Sequence, residues 1–284
     1  MHATSKSKFR TRLHTKFGCD KASGKQCGAS GPGVEMQDLT GKIAVITGAS
    51  KGLGRCLAQA LTEAGCQVAL LARPSEALTK TAAELTPNAR AFACDIRSAE
   101  AIQESFATIL ASYGRIDILI NNAALVLLNP IDTVSDADIV AEVETNFLGT
   151  IRCVRAAVPA MKAQGSGDII NITSESVHQP MPFVTIYAAT KGGVETLSRG
   201  LRSELQHDGI RVTNFRVGSM GEVSSSALWD PEIKAAFYER LQSSGADAYS
   251  GAAMPPAIPA AAIVDLLRLD RHATVDHIEL RSSK

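Results

Sequence analysis

The amino-acid sequence predicts an α/β protein built on a single doubly wound parallel sheet with helices on both faces. Two observations lead to this fold class. Short apolar runs alternate with segments of helical periodicity over residues 42–218, which is typical of right-handed β-α-β units. The apolar runs contain few polar residues, as expected for strands buried on both faces. No linker rich in proline or serine interrupts residues 40–218, so we predict one domain.

Each predicted element follows from local sequence signals. Strands are predicted at the short apolar runs 43–46, 68–71, 91–94, 116–120, 168–172 and 211–217, with a last strand at 274–280. Helices are predicted where apolar residues recur every three or four positions, at 53–64, 75–85, 98–112, 136–163, 187–207, 232–242 and 260–268. Gly65 and Pro87 end the first two helices, since glycine favours the position after a helix and proline cannot continue one.

Composition excludes several classes of protein. Of the 284 residues, 45% are hydrophobic and 20% are charged, and the formal net charge is zero. This is the balance of an ordinary globular protein, and it indicates neither a nucleic-acid binder nor a membrane protein. The six cysteines are scattered along the chain, which predicts free thiols in a reducing cytoplasm. The sequence shows no cluster of metal-ligating residues, so we predict no metal site.

The N-terminal segment, residues 1–37, differs from the rest of the chain. Its basic residues outnumber its acidic ones, and apolar residues are sparse. Such a segment buries too little apolar surface to offset the entropy of ordering, so we predict a disordered basic tail before a folded domain at 38–284. Organelle targeting, a binding arm and a start upstream of the native one at Met36 remain alternative interpretations of this tail.

A glycine-rich turn follows the first predicted strand and reads T-G-A-S-K-G-L-G at residues 47–54. Glycine permits a tight turn and a close approach of the backbone to a pyrophosphate. The helix that follows offers free N–H groups and a positive dipole end to the same anion. The turn therefore predicts a dinucleotide site on a Rossmann-type fold, with the cofactor held by Gly48, Ser50, Lys51, Gly52, Leu53 and Gly54.

The end of the second strand indicates which dinucleotide binds. An NAD site usually has a carboxylate there, which accepts a hydrogen bond from the ribose, whereas this chain reads L-A-R at 71–73. Arg73 can pair with a 2′-phosphate, and Lys51 can add a second cation. We therefore predict NADP(H) as the cofactor; the alternative is that both residues are solvated surface charges.

Tyr187 and Lys191 are the candidate acid–base pair. They lie four residues apart at the start of a predicted helix, so they share one face. A nearby ammonium favours the phenolate, and we expect it to lower the pKa of the tyrosine. Ser174 follows the fifth strand, at the carboxyl edge of the sheet where open α/β folds bind ligands. The spacing of Tyr187 and Lys191 alone is a weak motif, and the glycine turn elsewhere in the chain strengthens the prediction of an active site.

Together, these motifs resemble those of the short-chain dehydrogenase/reductase family over about residues 38–284. The matching features are the glycine turn, Asp95 after the third strand, N-N-A-A at 121–124, Asn146 in the long helix, Ser174, and Y-A-A-T-K at 187–191. The resemblance implies an oxidoreductase that moves a hydride between NADP(H) and a carbonyl or secondary alcohol.

The resemblance also implies a role for each matching residue. Tyr187 would exchange the proton with the substrate oxygen, and Ser174 would hydrogen-bond that oxygen. Lys191 would lower the pKa of Tyr187 and hold the nicotinamide ribose, and Asn146 would help to hold a water that links Lys191 to solvent. Further cofactor contacts are expected from Asp95, Ile96, Asn122 and Met220. The substrate is a small to medium-sized carbonyl or alcohol compound, and the assembly a homodimer or homotetramer.

Residues 219–258 interrupt the alternation of strands and helices, and we predict that they form a lid over the substrate. Trp229 either covers an apolar substrate or packs the lid against the domain. Glu175 is interpreted as a solvated or ion-paired residue, and selection of a cationic or hydroxylated substrate is the alternative. The family usually has P-G after the sixth strand, whereas this chain has Val217-Gly218.

A catalytically silent NADP-binding regulator or redox sensor on the same fold is the alternative function. Such a protein needs neither Tyr187 nor Ser174, so their presence favours an enzyme. The basic tail allows a nucleic-acid contact in principle, but the neutral overall charge argues against nucleic-acid or membrane partners.

Overall fold

The computed structural model describes residues 36–221, 226–245 and 251–283. Residues 1–35 of the predicted tail and two parts of the predicted lid, 222–225 and 246–250, lie outside the described residues. Gln37, at the predicted end of the tail, instead belongs to the folded domain, since its N–H donates to the carbonyl oxygen of Arg268 at 2.7 Å. No helix within the described ranges is long and apolar enough to cross a membrane.

Seven strands form one parallel sheet in the order β3-β2-β1-β4-β5-β6-β7. The strands are β1 (Ile43–Thr47), β2 (Gln67–Ala72), β3 (Ala89–Ala93), β4 (Ile118–Asn121), β5 (Gly167–Ser174), β6 (Ile210–Val217) and β7 (His277–Leu280). Strand order reverses between β1 and β4, which are neighbours in the sheet. A doubly wound sheet binds its ligand in the crevice at the carboxyl ends of such strands. The predicted fold class is confirmed.

Helices cover both faces of the sheet. They are α1 (Gly52–Glu63), α2 (Glu76–Glu84), α3 (Ala99–Tyr113), α4 (Asp136–Val143), α5 (Gly149–Gln164), α6 (Thr185–Leu205), α7 (Pro231–Ser243) and α8 (Ala257–Leu267). Alternate residues of β1 enter opposite core layers: Ala44 and Ile46 pack with α1 and α8, and Val45 packs with α3 and α5. This alternation follows from the two-residue period of a strand, and it places the carboxyl ends of the strands between two packed layers.

The long predicted helix at 136–163 is interrupted. Its α4 part ends at Val143, a π-helical turn occupies Glu144–Leu148, and α5 begins at Gly149. The hydrophobic pattern of so long a segment does not reveal a single π-helical turn within it. Turns of this type are frequent at functional sites, and this one contains Asn146.

The fourth strand begins two residues later than predicted. Ile116 is buried and apolar, but both of its backbone polar groups bind the side-chain amide of Gln164. The N–H of Ile116 donates to Gln164 Oε1 at 3.1 Å, and the carbonyl oxygen of Ile116 accepts from Gln164 Nε2 at 2.8 Å. Ile116 therefore makes its backbone hydrogen bonds with a side chain from the end of α5 rather than with a neighbouring strand. The last strand is likewise shorter than predicted, because it begins at His277.

Candidate active site

The glycine turn between β1 and α1 is closely packed against the end of β4. Gly48 has φ of +67°, and a Cβ there would lie 2.8 Å from the Cα of Ala123. A Cβ on Gly54 would collide with the carbonyl oxygen of Gly48. Both positions therefore require glycine, and the packing leaves the backbone of the turn as the surface that faces the crevice.

The N-terminus of α1 retains its capacity for an anion. Lys51 is the N-cap and supplies no side-chain hydrogen bond to the first turn, which also contains no acidic residue. Asn122 fixes the turn from the other side: its Nδ2 donates to the carbonyl oxygen of Thr47 at 2.9 Å, and its N–H donates to Thr47 Oγ1 at 3.0 Å. Free N–H groups at a positive dipole end fit a pyrophosphate, so the residues present fit a dinucleotide.

The remaining predicted cofactor contacts differ in their surroundings. Arg73 and Lys51 are exposed, at the end of β2 and in the turn. Both carboxyl oxygens of Asp95 bind the Arg97 side chain, with Nη2 to Oδ2 at 2.7 Å, and this hydrogen bonding lowers the pKa of Asp95. Ile96 is buried, and Met220 forms an isolated bridge with Met254.

Tyr187 and Ser174 come together as expected from their order along the chain. Tyr187 lies in the first turn of α6, close to the side chain of Ser174 at the end of β5, and hydrogen bonding from Ser174 opposes the effect of burial on the pKa of its phenol. Ser174 Oγ also accepts from the N–H of Ser176 at 3.2 Å and contacts Ser176 Oγ at 2.9 Å. These bonds orient the serine hydroxyl towards the phenol at the carboxyl edge of the sheet.

Lys191 lies one turn further along α6 and is only 3% exposed. Its Nζ donates to the carbonyl oxygen of Ile172 at 2.9 Å and lies 5.8 Å from the centroid of the Tyr187 ring. Burial lowers the pKa of Lys191 to about 8. The expectation of a lowered tyrosine pKa is wrong for this structure, because burial raises the pKa of Tyr187 to about 12, against the opposing effect of its hydrogen bond with Ser174.

Asn146 is fully buried in the π turn and organises the segment after β4. Its side chain accepts from the N–H of Leu125 and donates to the carbonyl oxygen of Leu125, both at 2.8 Å. Its Nδ2 also lies 3.2 Å from Oγ1 of Thr190. Asn146 is thus tied to α6 through a residue between Tyr187 and Lys191. Its carbonyl oxygen accepts from Thr150 at 2.9 Å, and the predicted water link to Lys191 stays a prediction.

Two acidic residues at the site are buried: for Glu175 this excludes the solvated half of its interpretation and leaves the ion-paired half a prediction, and Glu142 was missed from the sequence. Glu175 is 3% exposed rather than solvated, and its Oε2 would lie 3.1 Å from a Cβ on Gly218, so it forms part of a packed wall. Glu142 is 1% exposed and accepts from the N–H of Leu127 at 2.9 Å. Its spacing of four residues before Asn146, which puts both on one helical face, was the available signal.

The part of the lid that the structure describes packs against the segment after β4. Trp229 Nε1 donates to the carbonyl oxygen of Val126 at 2.8 Å, and its ring lies 6.3 Å from that of Phe237. The two residues belong to an apolar cluster with Leu128, Phe183, Val184 and Tyr187. Trp229 therefore packs the lid down, and the cluster gives the tyrosine an apolar wall.

Comparisons with known proteins find relatives of one kind. The model of the short chain dehydrogenase family matches residues 42–229. An uncharacterised oxidoreductase from Staphylococcus aureus (strain MW2) is 35% identical over 197 residues, which cover 69% of this chain and 85% of that protein. A short-chain dehydrogenase structure from Streptomyces avermitilis has a TM-score of 0.74 at 30% identity and covers 86% of this chain and 89% of its own. A metagenomic short-chain oxidoreductase in complex with NADP has a TM-score of 0.72 at 26% identity and covers 87% of this chain and 100% of its own.

Proposed function

Because the chain belongs to the short-chain dehydrogenase family, whose members are oxidoreductases, we propose that it transfers a hydride between NADP(H) and a carbonyl or secondary alcohol of a small to medium-sized substrate. The observation that carries this proposal is the placement of Tyr187 in the first turn of α6 close to Ser174 at the carboxyl edge of β5, where hydrogen bonding from Ser174 opposes the effect of burial on the pKa of the phenol. That edge also holds the glycine turn, so a substrate oxygen bound by both hydroxyls would face a dinucleotide held by the turn.

In the direction of reduction, Tyr187 gives its proton to the substrate oxygen while Ser174 donates a hydrogen bond to the same atom and polarises the carbonyl. The bound nicotinamide supplies the hydride. The phenolate that remains is stabilised by the Lys191 ammonium, whose Nζ lies 5.8 Å from the Tyr187 ring. With a pKa of about 8, Lys191 keeps most of its charge at neutral pH.

The proposed preference for NADP(H) rests on charge at two positions that would hold the 2′-phosphate of the adenosine ribose. Arg73 and Lys51 are both exposed cations at the mouth of the crevice, and β2 ends without a carboxylate to repel a 2′-phosphate. Asp95, the nearby acidic residue, is already bound by Arg97. The NADP complex of a structural relative is consistent with this preference.

The first prediction tests the proposed chemistry directly. Loss of NADPH absorbance is followed with a panel of ketones and aldehydes for the wild type and for Tyr187→Phe. Without the phenol proton, we expect kcat to fall by about two to four orders of magnitude, with NADPH affinity retained. Tyr238→Phe is the matched control, since Tyr238 is an exposed tyrosine of α7, and it should leave kcat unchanged.

Two other outcomes would contradict the proposed function. Turnover that survives in Tyr187→Phe would overturn the proposed acid. NADPH binding to the wild type without turnover of any carbonyl compound would instead favour a silent NADP-binding regulator.

A further inference from the structure

A buried carboxyl group on α4, the helix that packs against the Tyr187 helix α6, has no part in the chemistry above. Glu142 is on the inner face of α4, one helical turn before Asn146, and is 1% exposed. Its Oε1 accepts from the N–H of Leu127 at 2.9 Å. Among the described residues, no lysine, arginine or histidine lies within ion-pair distance of it. A buried carboxylate with so little compensation is costly, so the ionisation of Glu142 has consequences for the groups around it.

Glu142 holds a wall of the proposed substrate pocket. Asn146 binds Leu125 and Glu142 binds Leu127, so two side chains on one helical face hold alternate residues of the segment after β4. Between these two residues, Val126 accepts the hydrogen bond from Trp229 of the lid. The position of the segment, and with it the contact of the lid, depends on these two anchors.

The carboxyl group also acts on the phenol electrostatically. Burial is the main cause of the raised pKa of Tyr187, and Glu142 adds to it, because a nearby negative charge disfavours the phenolate. Burial raises the pKa of Glu142 itself to about 7, against the hydrogen bond from Leu127, and Asp138 on the same helix acts in the same direction as burial. The other charged and titratable groups that face this pair are Asp138 on α4, Glu175 at the end of β5, and Lys191 on α6, whose Nζ lies 5.8 Å from the Tyr187 ring. Burial lowers the pKa of Lys191 to about 8, so loss of its charge adds a second decline that Glu142→Gln retains.

We propose that Glu142 is a positioning residue for the reaction, which fixes the pocket wall through Leu127 and which, when ionised, opposes the negative charge left on Tyr187 after its proton moves to the substrate oxygen. This inference rests on the proposed function, since it requires Tyr187 to act as the acid. The neutral carboxyl permits the proton transfer and the carboxylate slows it. Ketone reduction should therefore decline as the pH rises through the range in which Glu142 ionises.

The experiment compares the pH dependence of kcat for ketone reduction at saturating NADPH, from about pH 6 to about pH 9. Glu142→Gln keeps an oxygen that accepts from Leu127 but cannot ionise, and Glu142→Leu removes both properties. We expect the wild type to lose activity in a step near neutral pH that Glu142→Gln lacks, with the Gln variant about threefold to tenfold faster than wild type at the alkaline end. Glu142→Leu should in addition raise KM, because the pocket wall loses its anchor.

Two further variants separate this role from a general effect of charge. Glu144→Gln removes a carboxylate two residues along the same segment that acts on Arg97, and it should leave the step in place. Asp138→Asn removes the neighbour that raises the pKa of Glu142, so the step should move to lower pH. It also serves as the test if Glu142→Gln fails to fold. An unchanged step in Glu142→Gln, or an unmoved step in Asp138→Asn, would overturn the proposal.

A measurement that needs no turnover tests the role of Glu142 separately from the proposed reaction. Infrared difference spectra of wild type against Glu142→Gln should contain a protonated-carboxyl band that disappears as the pH rises through neutrality. Absence of that band overturns the role of Glu142 and leaves the proposed reaction standing if the wild type reduces ketones. Absence of turnover in the wild type overturns the proposed reaction, and the role of Glu142 in it, whatever the band does.

Discussion

At Tyr187, the proposed acid, burial and hydrogen bonding have opposite effects on the pKa. Burial raises the pKa of Tyr187 to about 12, and the hydrogen bond with Ser174 lowers it by less. Lys191 is itself desolvated, which lowers its pKa to about 8. The chain therefore holds the phenol protonated, ready to donate, and keeps a cation nearby for the moment at which the phenolate forms.

The cofactor preference also belongs to the scale of single residues. Arg73→Asp replaces an exposed cation by a carboxylate that repels a 2′-phosphate and can accept from a free ribose hydroxyl. We expect the ratio of kcat/KM for NADPH to kcat/KM for NADH to fall by about tenfold to a hundredfold, which corresponds to roughly 1.4–2.8 kcal/mol. Steady-state kinetics with both cofactors measures this ratio.

Lys80→Asp is the matched control for Arg73→Asp, because it makes the same change of charge at an exposed position of α2. Its cofactor ratio should remain that of the wild type. An equal ratio in wild type and Arg73→Asp would show that Arg73 does not contact the phosphate.

At the scale of elements, the sequence predicts what depends on local order and misses what depends on distant contacts. The glycine turn and the Tyr187–Lys191 pair are short motifs, and periodicity locates the strands and helices to within a few residues. The start of β4 depends on Gln164, 48 residues from Ile116, and no local pattern reveals such a contact. The raised pKa of Tyr187 likewise depends on burial by several elements, so the sequence motif alone predicted the opposite direction.

The attachment of the lid is tested at the same scale. Trp229→Phe keeps an aromatic ring next to Phe237 but removes the hydrogen bond to Val126. The loss of about 1 kcal/mol from this contact should loosen the lid. We expect KM for the carbonyl substrate to rise by about threefold to tenfold with little change in kcat. Tyr238→Phe serves as control for an aromatic substitution on α7, and a Trp229→Phe enzyme with wild-type KM would exclude a role of this bond in substrate binding.

At the scale of the whole molecule, a layer of buried polar residues ties α6 to the sheet. Glu195, on the helix that carries Tyr187, accepts from Arg216 of β6 through both oxygens, at 3.0 Å and 2.8 Å, and from Thr173 of β5 at 3.1 Å. Arg216 also binds Glu279 of β7 at 3.0 Å. Glu195 and Arg216 are 7% and 9% exposed, so this network holds its charges out of water and depends on complete pairing.

Removing only one partner of the Glu195–Arg216 pair should therefore lower the free energy of unfolding far more than removing both partners. Arg216→Met leaves Glu195 buried without its cation, and we expect the free energy of unfolding to fall by about 3–5 kcal/mol. Replacing Glu195 by leucine in the same chain should recover part of that loss. Urea denaturation measures the single and double variants. Lys162→Met is the matched control, because the Lys162–Asp208 pair at 2.9 Å is exposed and should contribute less than about 1 kcal/mol.

The dependence of this loss on pH identifies its cause. Arg216 holds the pKa of Glu195 below its ordinary value, so in the wild type the pair stabilises the fold above that ordinary value and the contribution is lost as the pH falls through the lowered pKa. In Arg216→Met the carboxyl takes up a proton at higher pH and becomes neutral, so the deficit relative to wild type should shrink in acid. If the deficit stays constant from neutral to acidic pH, the loss comes from altered packing of β6. It then does not come from an uncompensated charge on Glu195.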